Sequence, residues 1–530
     1  MKLSFFGAAR AVTGSCHCID VNSRRILIDC GLQQGRDELD NAYLPFSAGS
    51  IDYVIVTHAH IDHSGRLPLL VKNGFRGEIY VTDMTAQLLS IMLRDSAHIQ
   101  ESDAAWENQK GKRAGKNAVE PLYTLADAEE CMNFLHTLPY DRTAEICPGV
   151  KLRFTDAGHL LGSAYAELWL TENGVTKKIV FSGDIGNNDQ PVIRDPQKIS
   201  EADYVVTEST YGDRLHEEGD GEYTEALAHI LDETFRRGGN VIIPSFAVGR
   251  TQEVLYFIRE IKERGLVPSL PDFPVYVDSP LAKEATQIFS GDLSGYLDEE
   301  ALELVRGGED MFSFPSLRLC ETSDESKQLN TDASPKVIIS ASGMCDAGRV
   351  RHHLKHNLWR SECSVVFVGY QAEGSFGRRL LDGARSVKLF GEEIAVNAHI
   401  VNFPGLSSHA DKNGLLEWIE AYSPRPDHVF VVHGDAEVAP VYADTLRQRG
   451  FSAHAPEYLE EYDLLANRVL KPGVTPQRKK ASRTESPAFA RLLGAGQALM
   501  EVIAHNRGGA NKDLAKFADQ IRELCRKWDR

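Results

Sequence analysis

The sequence predicts an α/β fold of more than one domain, and three observations support this prediction. In residues 1–56, short β-branched strands alternate with tight turns. Between about residues 208 and 390, strands alternate with helices, which is the pattern of a parallel sheet with helices on its faces. After residue 466, a linker leads into two amphipathic segments, which predict a C-terminal helical extension.

The composition indicates a soluble globular protein. The 530 residues suffice for two or three domains with large cores. The formal net charge of −18 argues against a protein that coats nucleic acid through a basic surface. It leaves a nuclease open, because divalent metals and a local basic lining can hold a phosphate. Nine cysteines in so long a chain fit a reducing cytoplasm better than a disulfide framework.

The sequence predicts neither a secretory signal peptide nor a membrane-spanning segment. The N-terminal apolar stretch is too short for a signal peptide, and Arg10 follows it closely. No apolar run approaches the length of a membrane span. We therefore expect a cytoplasmic protein with no membrane partner.

The first elements follow from apolar runs and the turn residues that bound them. Asn173-Gly174 lies between two apolar runs and predicts a β-hairpin. Cys16-His17-Cys18 falls within an alternating strand, although a structural metal there is a lesser alternative. The other predicted elements are a strand over 12–21, a strand over 26–29, a short helix over 67–72, a strand over 77–81 and polar helical structure over 100–145.

The stretch from Thr57 to Gly65 carries the strongest chemical signal. Four metal-ligand side chains, His58, His60, Asp62 and His63, fall within six residues directly after the apolar run 51–56. Two residues spaced two apart on an extended backbone point the same way, whereas two adjacent residues diverge. One metal for the first pair and a second metal for the latter pair would satisfy both constraints. Imidazole and carboxylate at this density suit Zn²⁺, with Mn²⁺ or Fe²⁺ as other occupants.

Further ligand types stand at the ends of distant strands. His159 and Asp184 each close a predicted strand, and His433 follows the apolar run 429–432. Taken alone, a histidine at a strand end is more often an ordinary polar residue. Together with the opening stretch, these residues predict a dinuclear site assembled from distant parts of the chain.

The pattern of these residues resembles that of the metallo-β-lactamase superfamily, and more narrowly that of the β-CASP group of RNA- and DNA-processing nucleases. The resemblance extends over roughly residues 1–465. The family motifs occur in family order at Asp29, His58-x-His60-x-Asp62-His63, His159, Asp184, Glu208, Ser407-Ser408-His409-Ala410-Asp411 and His433.

The resemblance implies both a fold and a set of roles. The implied fold is an αββα metallo-β-lactamase sandwich with an inserted β-CASP domain. The implied domains are the first part of the core at 1–207, the β-CASP domain at 208–390, the return of the core at 391–465, and a linker with a C-terminal helical extension at 466–530. The implied metal ligands are His58, His60 and His159 for one Zn²⁺, Asp62, His63 and His433 for the other, and Asp184 as the bridge.

Catalysis is expected from Asp62, Asp184, Glu208 and His409. By the resemblance, His409 is the general acid near the leaving oxygen, Glu208 orients it, and Asp29 orients a ligand histidine. The chemistry agrees with these roles, because two metals can activate water and polarise a phosphoryl oxygen. A histidine can supply the proton that a ribose leaving group needs near neutral pH.

The inserted region carries small and hydroxyl-bearing residues where its predicted strands end. Ligands of parallel α/β sheets bind beyond the carboxyl ends of the strands, and backbone amides that begin helices can cradle a phosphate. We therefore expect this domain to cap the metal site and to thread a single-stranded backbone across these loops. Ordinary strand-to-helix loop chemistry is the alternative. The expected substrate-binding residues are Ser245, Arg250, Ser279, Ser340, Ser342, Gly343, Arg349 and Arg378.

The C-terminal extension is predicted to contain a linker and two helices. Residues 471–476 indicate a linker, and a short basic segment at 478–483 follows it. Pro487 begins the first helix, and apolar residues between Leu514 and Trp528 share one face of the second. A helical pair packed on its own core is the main interpretation, and a dimer contact or a docking element are the alternatives.

The sequence thus predicts a ribonuclease that depends on two Zn²⁺, or on Mn²⁺, and hydrolyses single-stranded RNA in RNA processing or decay. The same centre could cut internally or trim from a 5′ end. The alternatives are a hydrolase of DNA or of a small ester or thioester, and a non-catalytic subunit. The family resemblance also suggests a homodimer, although no stretch of the sequence demonstrates one.

Overall fold

The computed structural model describes residues 1–34, 40–113, 117–216, 223–371, 374–403, 407–475 and 487–528. Two sheets pack face to face in its core. In spatial order, the strands of the first sheet are Arg468–Lys471, Glu461–Asp463, Lys2–Gly7, Cys16–Val21, Arg24–Ile28, Tyr53–Ile55, Glu78–Val81 and Leu135–Thr137. Those of the second sheet are Ala453–His454, His428–Val431, Tyr204–Thr207, Val175–Phe181, Ala164–Glu172, Val150–Asp156 and Ala144–Cys147.

Helices cover the outer faces of both sheets. Alternate strand residues point inward, so Phe5, Phe154 and Phe430 meet between the sheets. On the outer face of the second sheet, Val429 packs with Trp418 of a covering helix. The helices of this core are Ile61–Ser64, Leu67–Lys72, Asp83–Arg113, Leu125–Met132, Lys412–Glu420 and Val438–Gln448, with a 3₁₀ turn at Ala48–Ser50. The predicted helix–sheet–sheet–helix sandwich is therefore confirmed.

The inserted domain is a parallel sheet with helices, as predicted. Its strands, in spatial order, are Leu317–Leu319, Val275–Val277, Val337–Ser340, Val241–Pro244, Ser364–Phe367 and His399–Asn402. A separate hairpin joins Ser386–Leu389 and Glu392–Ala395. The helices are Tyr223–Arg236, Arg250–Glu263, Pro280–Phe289, Glu299–Arg306, Ser323–Thr331, Val350–Asn357 and Phe376–Leu381.

Two local expectations differ from the structure. The strand His399–Asn402 pairs in parallel with Ser364–Phe367, so the sheet of the inserted domain extends beyond residue 390. The stretch 100–145 is not helical throughout, because Leu135–Thr137 and Ala144–Cys147 are edge strands of the two core sheets. Short, half-exposed edge strands bury little apolar surface, so a polar stretch conceals them from sequence patterns.

The C-terminal extension contains the two predicted helices, Pro487–His505 and Asn511–Trp528. The basic segment at 478–483 lies outside the described residues. Leu492 is 66% exposed and Trp528 is 67% exposed, and no described residue of the second helix is buried. A helical pair with a core of its own therefore does not form among the described side chains. Within the described ranges, no helix is both long and apolar enough to cross a membrane.

Candidate metal centre and active site

The His-rich stretch begins where the strand Tyr53–Ile55 ends. His58 and His60 lie between this strand and the next helix, and His58 Nε2 is 3.1 Å from His60 Nδ1. The helix Ile61–Ser64 then starts directly after His60 and turns His63 into the protein, where it is buried. The start of this helix after His60 separates the pair His58 and His60 from the pair Asp62 and His63.

The Asp29 carboxylate holds the His-rich stretch through hydrogen bonds. Asp29 follows the strand Arg24–Ile28 and has a positive φ of 59°, which directs its carboxylate toward the next loop. That carboxylate accepts hydrogen bonds from the Thr57 backbone N–H at 2.8 Å and from the Thr57 hydroxyl at 2.9 Å. It also accepts one from His63 Nδ1 at 2.7 Å, which leaves His63 Nε2 facing the centre. Asp29 thus lies where the sequence predicted an orienting acid.

Gly31 allows the backbone of the ligand stretch to approach this strand end. A Cβ atom at Gly31 would lie 1.6 Å from the Asp62 carbonyl oxygen, a distance that only a backbone shift could relieve. We expect Gly31→Ala to lower the free energy of unfolding by about 1–3 kcal/mol, the usual cost of overpacking, and to lower metal content. Thermal denaturation and elemental analysis of the purified protein measure both effects.

Gly49→Ala is the matched control, because its nearest neighbour would be 3.7 Å from the new Cβ atom, an ordinary contact. Equal stability and equal metal content in the two variants would contradict this account of Gly31.

Asp184 lies between two groups of histidines. Its Oδ2 atom is 3.4 Å from His58 Nε2 and 3.4 Å from His159 Nε2. Its Oδ1 atom is 3.1 Å from His63 Nε2 and 3.6 Å from His433 Nδ1. Each oxygen of one buried carboxylate therefore faces a different group, which is the geometry of a bridging ligand.

The donor atoms of this cluster fit divalent metal. His63 Nε2 and Asp184 Oδ1 are buried, form no hydrogen bond among the described residues and face each other at 3.1 Å, as two ligands of one ion would. Burial lowers the pKa of His60 to about 3, which keeps its imidazole neutral, as a metal ligand must be. The candidate ligand atoms lie within 4.8 Å of one another in three groups, which are His58, His60, His159 and Asp184, then Asp62, His63 and His433, and then Asp184, Glu208 and His433.

His409 lies at the edge of this cluster and is held by Glu208. Its Nδ1 atom donates to Glu208 Oε1 at 3.1 Å, and its Nε2 atom is 4.0 Å from Asp184 Oδ2. Glu208 is fully buried and is itself held by the backbone N–H groups of Ile185 at 2.6 Å and Thr210 at 3.2 Å. Burial lowers the pKa of His409, but the negative charges of Glu208 and Asp184 outweigh it and raise the pKa to about 9.

Three supporting contacts were not predicted from the sequence. His159 Nδ1 donates to the Ser408 carbonyl at 2.9 Å, and His216 Nε2 donates to the His409 carbonyl at 2.8 Å. The Thr210 hydroxyl lies 3.2 Å from His433 Nδ1. Two of these contacts use backbone carbonyls, which any residue type can supply, so the sequence held no signal for them.

The three arginines predicted to bind substrate are engaged within the inserted domain. Arg250 is 7% exposed and forms an ion pair with Glu253 one turn along the same helix. Arg349 and Arg378 also pair with carboxylates, at 2.7 and 2.8 Å. Reversing the charge of Arg250 would bury two carboxylates side by side, so it would report on folding rather than on substrate binding.

The serines predicted to bind substrate lie at the strand ends, as expected, but several of their hydroxyls are engaged. Ser245 Oγ accepts a hydrogen bond within its loop. Ser279 caps the helix after it, and Ser340 Oγ donates to a neighbouring carbonyl at 2.9 Å. Ser342 and Gly343 lie in the loop after the strand Val337–Ser340, facing the same end of the sheet. A substrate role for these residues stays a prediction.

Comparison with protein families assigns three parts of the chain. Residues 9–83 match the metallo-beta-lactamase superfamily, and residues 251–380 match the Beta-Casp domain. Residues 393–456, which carry His409 and His433, match the family described as the Zn-dependent metallo-hydrolase RNA specificity domain.

Curated relatives span most of the chain. A ribonuclease from Thermus thermophilus is 37% identical over 451 residues, which cover 85% of this chain and 97% of that protein. The transcription termination factor FttA of Methanosarcina mazei is 31% identical over 464 residues, covering 85% of this chain and 69% of the relative. FttA of Methanocaldococcus jannaschii is 32% identical over 464 residues, covering 84% of this chain and 69% of the relative.

Proposed function

The chain belongs to the β-CASP ribonuclease family of the metallo-β-lactamase superfamily and is a metal-dependent hydrolase, and from this we propose that it hydrolyses phosphodiester bonds of single-stranded RNA. The observation that carries the proposal is the His409–Glu208 pair beside Asp184. A proton donor at that place can protonate the ribose oxygen, which is a poor leaving group without a proton.

Two zinc ions are the proposed cofactor. We assign one ion to His58, His60 and His159 and the other to Asp62, His63 and His433, with Asp184 shared. Buried imidazoles and two carboxylates suit Zn²⁺, and Mn²⁺ is the alternative occupant. When bound, the ions would lower the pKa of water and stabilise the charge that develops on a phosphoryl oxygen. Asp29 keeps His63 in the tautomer that presents Nε2 to the centre.

His409 performs the proton transfer in this proposal. Its Nδ1–H is held by Glu208, so Nε2 carries the mobile proton toward the cluster. The imidazolium donates that proton to the leaving oxygen as the P–O bond breaks. The raised pKa keeps His409 protonated at neutral pH, which is the form an acid needs.

We expect Glu208→Gln to lower kcat by about 10–100-fold, the usual loss when a residue that supports an active-site histidine is changed. An amide has no charge to stabilise the imidazolium, so the pKa of His409 falls. Because the rate declines as pH rises through that pKa, the alkaline limb of the pH–rate profile should move to lower pH.

Kinetics between pH 6 and pH 10 test the Glu208→Gln variant. Glu417→Gln is a matched control, because Glu417 is exposed and pairs with Lys198 on the protein surface. An unshifted alkaline limb with unchanged kcat in Glu208→Gln would remove Glu208 from the proton-transfer step.

RNA is favoured over a small ester as substrate. The match to an RNA specificity domain includes both His409 and His433, and the Thermus thermophilus relative is named a ribonuclease. A non-catalytic subunit is the weaker candidate, because all the predicted ligand positions come together. Internal cleavage and 5′ trimming use the same centre, so both modes stay predictions, as does a homodimer.

Metal removal tests the proposal directly. Single-stranded RNA labelled at either end is incubated with the native protein, with metal-stripped protein and with stripped protein resupplied with Zn²⁺ or Mn²⁺. We expect cleavage to disappear on stripping and to return with metal. The order in which the two labels are released separates internal cutting from 5′ trimming. Intact RNA with zinc bound would overturn the ribonuclease proposal and favour a DNA, ester or scaffolding role.

A further inference from the structure

Two aromatic side chains at one end of the inserted sheet are exposed. Phe246 is 44% exposed and Tyr370 is 45% exposed. They follow the strands Val241–Pro244 and Ser364–Phe367, which are parallel neighbours, so both side chains come from the same end of the sheet. That end is where parallel α/β sheets bind their ligands.

A short row of rings connects Tyr370 to the active site. The Tyr211 ring centroid is 6.3 Å from that of His409 and 6.2 Å from that of Tyr370, with the two tyrosine rings nearly perpendicular at 79°. Tyr211 is buried, whereas Tyr370 is not. Tyr370 therefore lies within reach of a nucleotide that adjoins the phosphate at the metal centre.

Arg214 adds positive charge beside these rings. Its guanidinium carbon is 5.0 Å from the Tyr211 centroid and 5.6 Å from the Tyr370 centroid, within the range of a cation–π contact. Its ion pair with Asp213 is long, at 4.0 Å, and its side chain is substantially exposed. The guanidinium can thus contact a phosphate without giving up a buried partner.

Phe246 is held in place by glycines. A Cβ atom on Gly343 would lie 3.2 Å from the Phe246 ring, and one on Gly369 would lie 3.9 Å from it. The ring therefore packs on bare backbone on one side, while almost half of its surface faces solvent. A ring that packs on backbone on one side and is open on the other can receive a base with little loss of conformational entropy.

We propose that Phe246 and Tyr370 form a platform on which nucleobases of single-stranded RNA stack next to the scissile phosphate, with Arg214 contacting the backbone. This inference rests on the proposed ribonuclease function and names how the substrate is held. Stacking on aromatic rings accepts every base, since each has a π face. The platform therefore positions RNA without reading its sequence.

The alternative is that these are ordinary exposed apolar side chains, which are common when scattered singly. Phe390 is such a case, being 50% exposed and stacked at 4.3 Å on His352, a residue outside the metal cluster. Phe246 and Tyr370 differ because they follow neighbouring strands at one end of one sheet, and because Tyr370 connects to His409 through the ring of Tyr211.

RNA binding is measured by fluorescence anisotropy with the full-length, metal-bound protein and RNA whose phosphorothioate linkages resist hydrolysis, so that cleavage does not interfere. We expect Tyr370→Ala and Phe246→Ala each to weaken the affinity for a labelled oligouridine by about tenfold, the effect of losing one base–aromatic stack. Tyr370→Phe should bind like the native protein, because it keeps the ring. Phe390→Ala is the matched control and should also bind normally.

An RNA with one abasic nucleotide provides a second measurement. At the stacked position, the missing base should weaken binding to the native protein but cause no further loss in Tyr370→Ala, because both changes remove one contact. Native affinity in both alanine variants, or equal abasic losses in native protein and Tyr370→Ala, would overturn the platform.

The platform and the ribonuclease proposal can fail separately. RNA binding that depends on Tyr370, without cleavage in zinc, would keep the platform and overturn the ribonuclease. RNA cleavage by the native protein, together with native RNA affinity in Tyr370→Ala, would keep the ribonuclease proposal and overturn the platform. A native protein that neither binds nor cleaves RNA would overturn both.

Discussion

Replacing His409 with alanine is expected to lower kcat for RNA cleavage by about 10²–10⁴-fold, the usual contribution of a general acid, while leaving the bound metal unchanged. The position of His409 explains why catalysis should fall while metal binding should not. His409 Nε2 is 4.0 Å from the nearer Asp184 oxygen, and its Nδ1 is committed to Glu208. Alanine therefore removes a proton donor and leaves both ligand groups of the metal centre intact.

A substrate with a better leaving group distinguishes an acid from a structural residue. A nitrophenyl phosphodiester releases a phenolate, which leaves without a proton, so His409→Ala should slow its hydrolysis much less than that of RNA. Elemental analysis checks that the variant retains metal. His505→Ala, an exposed histidine of the C-terminal extension, is the control. Equal losses on both substrates, or loss of metal, would remove the general-acid role.

The parts of the site that were predictable from sequence are local in the chain. His58, His60, Asp62 and His63 fall within six residues, so their spacing alone indicates which side chains point the same way. Asp184 and His433 could be recognised because each follows a strand that ends in buried apolar residues. Strand ends of one sheet meet in space, which is why such positions assemble.

The parts that were not predictable depend on long-range pairing or side-chain direction. His399–Asn402 gives no local sign that it joins the inserted sheet, because its partner strand Ser364–Phe367 lies 35 residues earlier in the sequence. Arg250 begins a helix and forms an ion pair with Glu253 one turn later in that helix. Its charge is therefore neutralised inside the domain, which its sequence position does not reveal. The exposure of Phe246 and Tyr370 likewise depends on packing that no local pattern specifies.

The second large effect is expected from Asp184→Asn. The two carboxylate oxygens of Asp184 face different histidine groups, with His58 on one side and His63 on the other. Burial alone would raise the pKa of Asp184, but the charges of His433, His63 and His58 hold it well below its usual range. The side chain is therefore an anion at neutral pH, and asparagine removes that charge from between the two groups.

We expect Asp184→Asn to lose at least part of its metal and to lower kcat/KM by at least about 10³-fold, since several kcal/mol of charge stabilisation depend on the bound ions. The stabilisation that zinc gives to the folded protein should shrink as well, because a ligand stabilises only in proportion to its affinity for the native state. Elemental analysis, kinetics and the zinc-induced change in Tm measure the three effects.

Asp232→Asn is the matched control for this variant. Asp232 is also buried, but its carboxylate accepts from the Ser269 backbone N–H at 2.9 Å and pairs with Arg236 on its own helix, away from the histidines. Its loss should change stability without changing metal content. If Asp184→Asn instead kept its metal and its zinc-induced gain in Tm, the two histidine groups would bind metal independently. The bridging role would then be wrong, even if the rate of cleavage fell.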